Sequence, residues 1–242
     1  MSTMHLGSAF RIRAKFVAIG LTALLIPSTG LSASAAPRGL EPPTCFDLEV
    51  TILGTAGADQ YPDSVDGTAG SDVIHALAGS DNIYAIGLKG DPSLEVGNDF
   101  VCAGRGHDDP VEGGGGDDHI AGGRGSDSLF GNVGNDTILG GFGFDEIEAH
   151  EGNDLVNGGP QRDEICAGPG NDEVKGAAGA DSIGCGETGA DRYFGGPGDD
   201  VISSVDFDQQ TSPDVVNGGV GTDICSIDPE DIARNCETIE VV

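Results

Sequence analysis

Eight nonapeptides run head to tail from Gly113 to Gly184: GGGGDDHIA, GGRGSDSLF, GNVGNDTIL, GGFGFDEIE, AHEGNDLVN, GGPQRDEIC, AGPGNDEVK and GAAGADSIG. Most fit Gly-Gly-x-Gly-x-Asp-x-apolar-x. The eighth place is apolar in all of them: Ile120, Leu129, Ile138, Ile147, Val156, Ile165, Val174 and Ile183. Read as a short strand, the last three places point the apolar residue one way and its neighbours the other. The first six places must then turn the chain, and glycine gives them access to positive φ. Asn135, Asn153 and Asn171 in the fifth place suit the same region. Two nonapeptides close one coil with a strand on each side, and coils stack at the ordinary strand spacing of about 4.8 Å. The expected fold is all-β, a parallel solenoid. A disordered glycine-aspartate tail has the same composition but no use for phased Ile, Leu and Val.

Stacked coils also stack their turns. The sixth place is Asp in every repeat of the block: Asp118, Asp127, Asp136, Asp145, Asp154, Asp163, Asp172 and Asp181. Looser repeats outside the block put Asp72, Asp81, Asp99, Asp191 and Asp200 in the same place. Two ladders of carboxylates result, and at that spacing they repel unless something sits between them. A hard cation that takes six to eight oxygens in flexible geometry fits the gap, as Ca2+ does. Mg2+ demands a stricter octahedron and keeps its waters. Transition metals want nitrogen or sulfur, and His75, His107, His119 and His150 are scattered over different repeat positions. The thirteen aspartates are therefore the candidate metal ligands, for several calcium ions.

On these repeats the chain resembles the hemolysin-type calcium-binding proteins, the RTX nonapeptide-repeat family. The resemblance covers nearly all of Gly54–Ser226. It implies a parallel β-roll of two nonapeptides per coil and calcium in the turns. Many family members join such repeats to a protease, lipase or toxin domain and carry a C-terminal secretion signal. This chain departs from that pattern at its N-terminus.

Arg11, Arg13 and Lys15 precede an apolar run from Phe16 to Pro27 and then SASAAP. That order describes a secretory signal peptide over residues 1–35, with cleavage expected after Ala35 or Ala36. The run is too short for a membrane span. The remainder carries 8 basic and 41 acidic residues, a formal charge of −33. Such a balance excludes nucleic acid as a partner and opposes compaction without counter-ions. A chain that stays unfolded where calcium is scarce, and folds outside the cell, follows as an expectation. Six cysteines in a secreted chain suggest three disulfides. Cys166 and Cys185 lie two repeats apart, hence on adjacent coils and within bridging range. Cys225 and Cys236 bracket the end of the repeats. Cys45 and Cys102 pair only by elimination.

Residues 36–53 read as an N-terminal cap strand, 54–226 as repeats that are most regular over 113–203, and 227–242 as a C-terminal cap. Glu112 and Cys185 are single-residue insertions. Residues 85–93 and 204–211 interrupt the motif and are the first places to look for a partner surface. Sites are doubtful where turn glycines fail, at Pro110, Gln161–Arg162 and Gln209–Pro213. No zinc-protease, nucleophile-elbow, Walker or EF-hand motif occurs. The expectation is a secreted non-catalytic calcium-binding protein, not an enzyme, with an unnamed cell-surface or extracellular-matrix ligand. A β-helix lyase or epimerase on polysaccharide, and a calcium-dependent surface adhesin, are the alternatives.

Overall fold

A computed structural model describes residues 52–54, 59, 65–68, 71–77, 79–85, 97–185, 188–206 and 212–242. The expected signal peptide, nearly all of the N-terminal cap, Cys45 with its pairing to Cys102, and most of residues 85–93 and 204–211 lie outside these. The described residues belong to the compact unit Leu40–Val242.

They form strands and no helix. In chain order these are β1 (Ile52–Leu53), β2 (Val65–Asp66), β3 (Val73–His75), β4 (Ile83–Tyr84), β5 (Phe100–Arg105), β6 (Val111–Gly115), β7 (His119–Arg124), β8 (Ser128–Val133), β9 (Thr137–Phe142) and β10 (Glu146–Glu151). The series continues with β11 (Leu155–Pro160), β12 (Glu164–Cys166), β13 (Glu173–Ala178), β14 (Ser182–Gly184), β15 (Arg192–Pro197), β16 (Val201–Ser203), β17 (Val215–Val220), β18 (Ile224–Ile227), β19 (Ile232–Arg234) and β20 (Thr238–Val241). Odd-numbered strands build one ten-stranded sheet and even-numbered strands the other, each in sequence order. Neighbours within a sheet are parallel and in coil register: Ile120 pairs with Ile138, and Ile147 with Ile165. This is the β-solenoid that the nine-residue period requires, with two repeats per coil.

The eighth-place residues close the space between the sheets. Ile74, Val101, Ile120, Ile138, Val156 and Val174 line it from one side, and Ile83, Val111, Leu129, Ile147, Ile165 and Ile183 from the other, all fully or almost fully buried. Burying each such side chain contributes about 1.5–3 kcal/mol, and the thinness of the core makes every rung count.

Three details differ from the sequence reading. The longer strands run six residues, through places seven to nine and on into one to three of the next repeat, so pairing between coils continues around the bend. Each coil copies its neighbour's backbone, and the N–H and C=O groups stay in reach even where the chain curves. The extra residue near 112 is not Glu112, which pairs in register with Tyr84 and Phe130. It lies at Asp109–Pro110, because Val111 rather than Pro110 fills the inward place. Residues 227–242 leave the nine-residue spacing but keep the stacking: β19 and β20 add a last strand to each sheet. Ile239 stands in register with the buried Cys225 yet is half exposed, since no further coil covers it.

Both testable disulfide expectations match. Cys166 and Cys185 are bonded with Cα atoms 5.1 Å apart, and Cys225 and Cys236 with Cα atoms 6.0 Å apart.

Candidate metal centre: two aspartate ladders

Each turn packs backbone on backbone. A Cβ added to Gly125, which has φ 140°, would lie 1.3 Å from the carbonyl oxygen of Gly106 one coil earlier. No residue with a side chain fits that conformation. Gln161 stands in the same place of its repeat and adopts φ 78° instead, while its side-chain oxygen accepts the N–H of Gly143 at 2.9 Å. The missing glycine therefore changes the local turn without removing the next Asp from its ladder.

The sixth-place aspartates fall into two continuous files, one on each edge of the solenoid. On the first edge the backbone N–H of each Asp donates to Oδ1 of the next: Asp72 to Asp99, Asp99 to Asp118, Asp118 to Asp136, Asp136 to Asp154, Asp154 to Asp172, Asp172 to Asp191, Asp191 to Asp214 and Asp214 to Asp231, at 2.6–2.9 Å. On the second edge the same bond links Asp59, Asp81, Asp108, Asp127, Asp145, Asp163, Asp181, Asp200 and Asp223 in turn, and the last N–H meets Glu237 Oε2, at 2.7–3.0 Å. All thirteen aspartates singled out from sequence stand in these files. So do Asp59, Asp108, Asp214, Asp223, Asp231 and Glu237, which that selection left out. Asp108 and Asp223 had the signal in AGRGHD and GGVGTD. Asp214 has no turn glycines before it, and Asp231 and Glu237 follow the last recognisable repeat.

One carboxylate oxygen per rung is thus used by the fold. The other decides what the ladders can hold. Among the described residues, Oδ2 of Asp118, Asp136, Asp154 and Asp172 on the first edge is buried without a hydrogen-bond partner. So is Oδ2 of Asp81, Asp108, Asp127, Asp145, Asp163, Asp181, Asp200 and Asp223 on the second. It points into the turn: a Cβ built on Gly131 would sit 2.4 Å from Asp136 Oδ2, and one on Gly140 2.7 Å from Asp145 Oδ2. An unpaired charged oxygen in such a place is costly unless a cation meets it. Oxygen-only donors, carboxylates beside stacked turn carbonyls, are the set a hard divalent ion prefers. The residues present fit calcium.

Titration behaviour reports the same strain. Burial pushes Asp118 up to about 8, with the charges of Asp136 and Asp99 adding to it and the Asp99 N–H opposing. Burial likewise raises Asp127, Asp136, Asp163 and Asp172 to about 7, and Asp145, Asp154 and Asp181 to about 6.

Some rungs are completed by the protein. Tyr193 occupies the inward apolar place of its repeat, and its hydroxyl donates to Asp191 Oδ2 at 3.0 Å. The Thr68 N–H and hydroxyl donate to Asp72 Oδ2 at 2.6 and 2.8 Å. Ser204 Oγ and the Asp228 N–H donate to Asp231 Oδ2 at 2.8 and 3.0 Å.

A two-sheet parallel solenoid with acidic files inside its turns defines a calcium-type β-roll. The family of the RTX calcium-binding nonapeptide repeat (4 copies) matches residues 58–85, 112–147, 130–165, 148–183 and 186–203. The chain is an RTX nonapeptide-repeat protein. No curated protein matches it.

Proposed function

We propose that this is a secreted, non-catalytic calcium-binding protein whose β-roll folds as it takes up extracellular Ca2+. The observation that carries the reading is the row of buried Asp Oδ2 atoms with no protein partner. The fold satisfies Oδ1 on rung after rung and leaves Oδ2 aimed into the turn. When bound, calcium supplies charge compensation and no chemistry. Asp118, Asp136, Asp154 and Asp172, and on the other edge Asp127, Asp145, Asp163 and Asp181, would hold it with turn carbonyls. Their Oδ1 atoms keep the coils in register and pre-orient the second oxygen. An ion present at ten times its Kd stabilises the fold by about 1.4 kcal/mol per site, so a few sites match a typical domain stability of about 5–15 kcal/mol.

Secretion is supported by the basic, apolar and small-residue order of residues 1–35 and by disulfides suited to an oxidising compartment. A non-catalytic role is supported by the aspartates themselves, which are occupied in the two files. The test is a calcium titration of the mature chain followed by far-ultraviolet circular dichroism, with magnesium as control. A rise from coil to β-structure with calcium alone is expected. Full β-structure in chelator, or an equal response to magnesium, would contradict the reading.

A further inference from the structure

The Cys166–Cys185 bridge has a defined place in the first file of aspartates. Cys166 precedes Asp172 by six residues, and Cys185 precedes Asp191 by the same six. Asp172 and Asp191 are consecutive rungs, joined by the Asp172 N–H to Asp191 Oδ1 bond at 2.8 Å. The two cysteines therefore open two successive turns on one edge. Strand register shows how they meet. Glu164 pairs with Ser182, Ile165 with Ile183 and Cys166 with Gly184, so Cys185 is the residue by which this coil exceeds the one before it. It takes φ 87°, and its sulfur bonds back to Cys166 with Cα atoms 5.1 Å apart.

The two rungs differ in what completes them. Asp172 Oδ2 is buried without a partner, while Asp191 Oδ2 accepts the Tyr193 hydroxyl. The bridge thus clamps a turn that needs a cation to a turn that the chain completes itself. An ion beside Asp172 would draw oxygens from neighbouring turns, and the covalent tie limits how far two of those turns can part. It also removes chain entropy from the unfolded state, across a separation of 19 residues. Access separates this bridge from the other one. Cys185 is exposed, Cys166 is half-buried, and both line an open groove of about 480 Å³ with Glu164, Ser182 and Ser203. Cys225 is fully buried in the core. A small thiol in solution can reach the first bridge and is kept from the second.

We propose that the Cys166–Cys185 pair is a redox switch on calcium-driven folding. Bonded, it lowers the calcium concentration at which the coils form; reduced, it raises it. Between those two concentrations the bridge alone decides whether the chain is folded. To close it, the Cys185 thiolate attacks one sulfur of an exchanging disulfide, glutathione disulfide or that of an oxidoreductase, and releases the other half as a thiolate. The Cys166 thiolate then attacks Cys185 Sγ, displaces the remaining half and forms the Sγ–Sγ bond. Two protons and two electrons leave the pair, and the oxidant becomes two thiols. The same exchange run backwards by two reducing thiols restores the dithiol. The coupling is reciprocal: as oxidation favours the calcium-bound coil, calcium favours oxidation by the same factor. The inference rests on the calcium-driven folding proposed above.

Two experiments on the mature chain test it. In the first, circular dichroism follows calcium titrations of the oxidised chain and of the chain reduced at Cys166–Cys185 by a mild thiol reagent, with peptide mass spectrometry reporting the state of each bridge. The half-folding concentration should rise about two- to tenfold on reduction. C166S with C185S, which removes this bridge alone, should give the same rise. In the second, the natural chain is equilibrated in glutathione redox buffers, in calcium and in chelator, and the bonded fraction is counted after thiol alkylation. Calcium should raise the oxidation equilibrium constant by the factor by which oxidation raises the folding constant. This arm needs no variant, so it decides even where the serine variant fails to fold. A half-folding concentration indifferent to the bridge, or an oxidation constant that calcium leaves unmoved, would overturn the proposal. An oxidised chain that does not fold with calcium would count against the proposed function instead.

Discussion

On one edge of the solenoid, the rungs from Asp118 to Asp172 and the rungs of Asp191 and Asp231 share a backbone and an Oδ1 bond, yet their second oxygens end differently. In the central coils Oδ2 is buried and unpartnered. Toward the C-terminus Tyr193, Ser204 and the Asp228 N–H close it. The Cys225–Cys236 bridge ties the last coils as well. One repeat geometry can thus be completed by a cation or by a donor from the chain. On this edge the central rungs need a cation for charge balance in a way the C-terminal rungs do not, while on the other edge Asp200 and Asp223 keep an unpartnered Oδ2.

The largest expected effect comes from removing the ligand atoms alone. D136N with D154N keeps an acceptor for the ladder N–H and replaces Oδ2 with an amide. The calcium concentration at half-folding, read by circular dichroism, should rise several-fold, whereas D191N should move it little. Equal shifts would erase the distinction between the two blocks.

Y193F asks the converse. It leaves Asp191 Oδ2 buried without a donor, which costs about 1–3 kcal/mol. Thermal melting should show that loss at low calcium and a smaller one at saturation, where an ion can take the hydroxyl's place. A loss independent of calcium would mean that Tyr193 acts only by packing.

Acidity gives a smaller and opposite pair of effects. Carboxyls held at about 6–8 in the metal-free coil, such as Asp154, Asp136 and Asp118, titrate near 3.9 when unfolded. Their protonated forms favour folding, so this contribution is full below about pH 4 and is lost as pH rises through 6–8. Without calcium, β-structure should increase on acidification from pH 8 to pH 5, and with calcium the half-folding concentration should rise over the same interval. Circular dichroism titrations at each pH check both signs.

The coil was legible in sequence because its cause is local: a nine-residue period, Asp in the sixth place and Ile, Leu or Val in the eighth. Cys166 and Cys185 followed from the same arithmetic. Asp214, Asp231 and Glu237 were not legible, because stacking on an existing coil positions them and their own turns lack the motif. Glu112 was misread as an insertion because the period does not say which neighbour of Pro110 faces inward, and burial of Val111 decides it. Tyr193 reads in sequence as one more apolar residue. Only the coil geometry brings its hydroxyl to Asp191.

Hydrogen exchange read by mass spectrometry, in calcium and in chelator, tests most directly whether cations hold the central rungs. Strands β7 to β13 should be protected with calcium and lose most of that protection without it, while β18 and β20, beside the Cys225–Cys236 bridge, should lose less. Central strands as protected in chelator as in calcium would contradict the role assigned to the aspartate files.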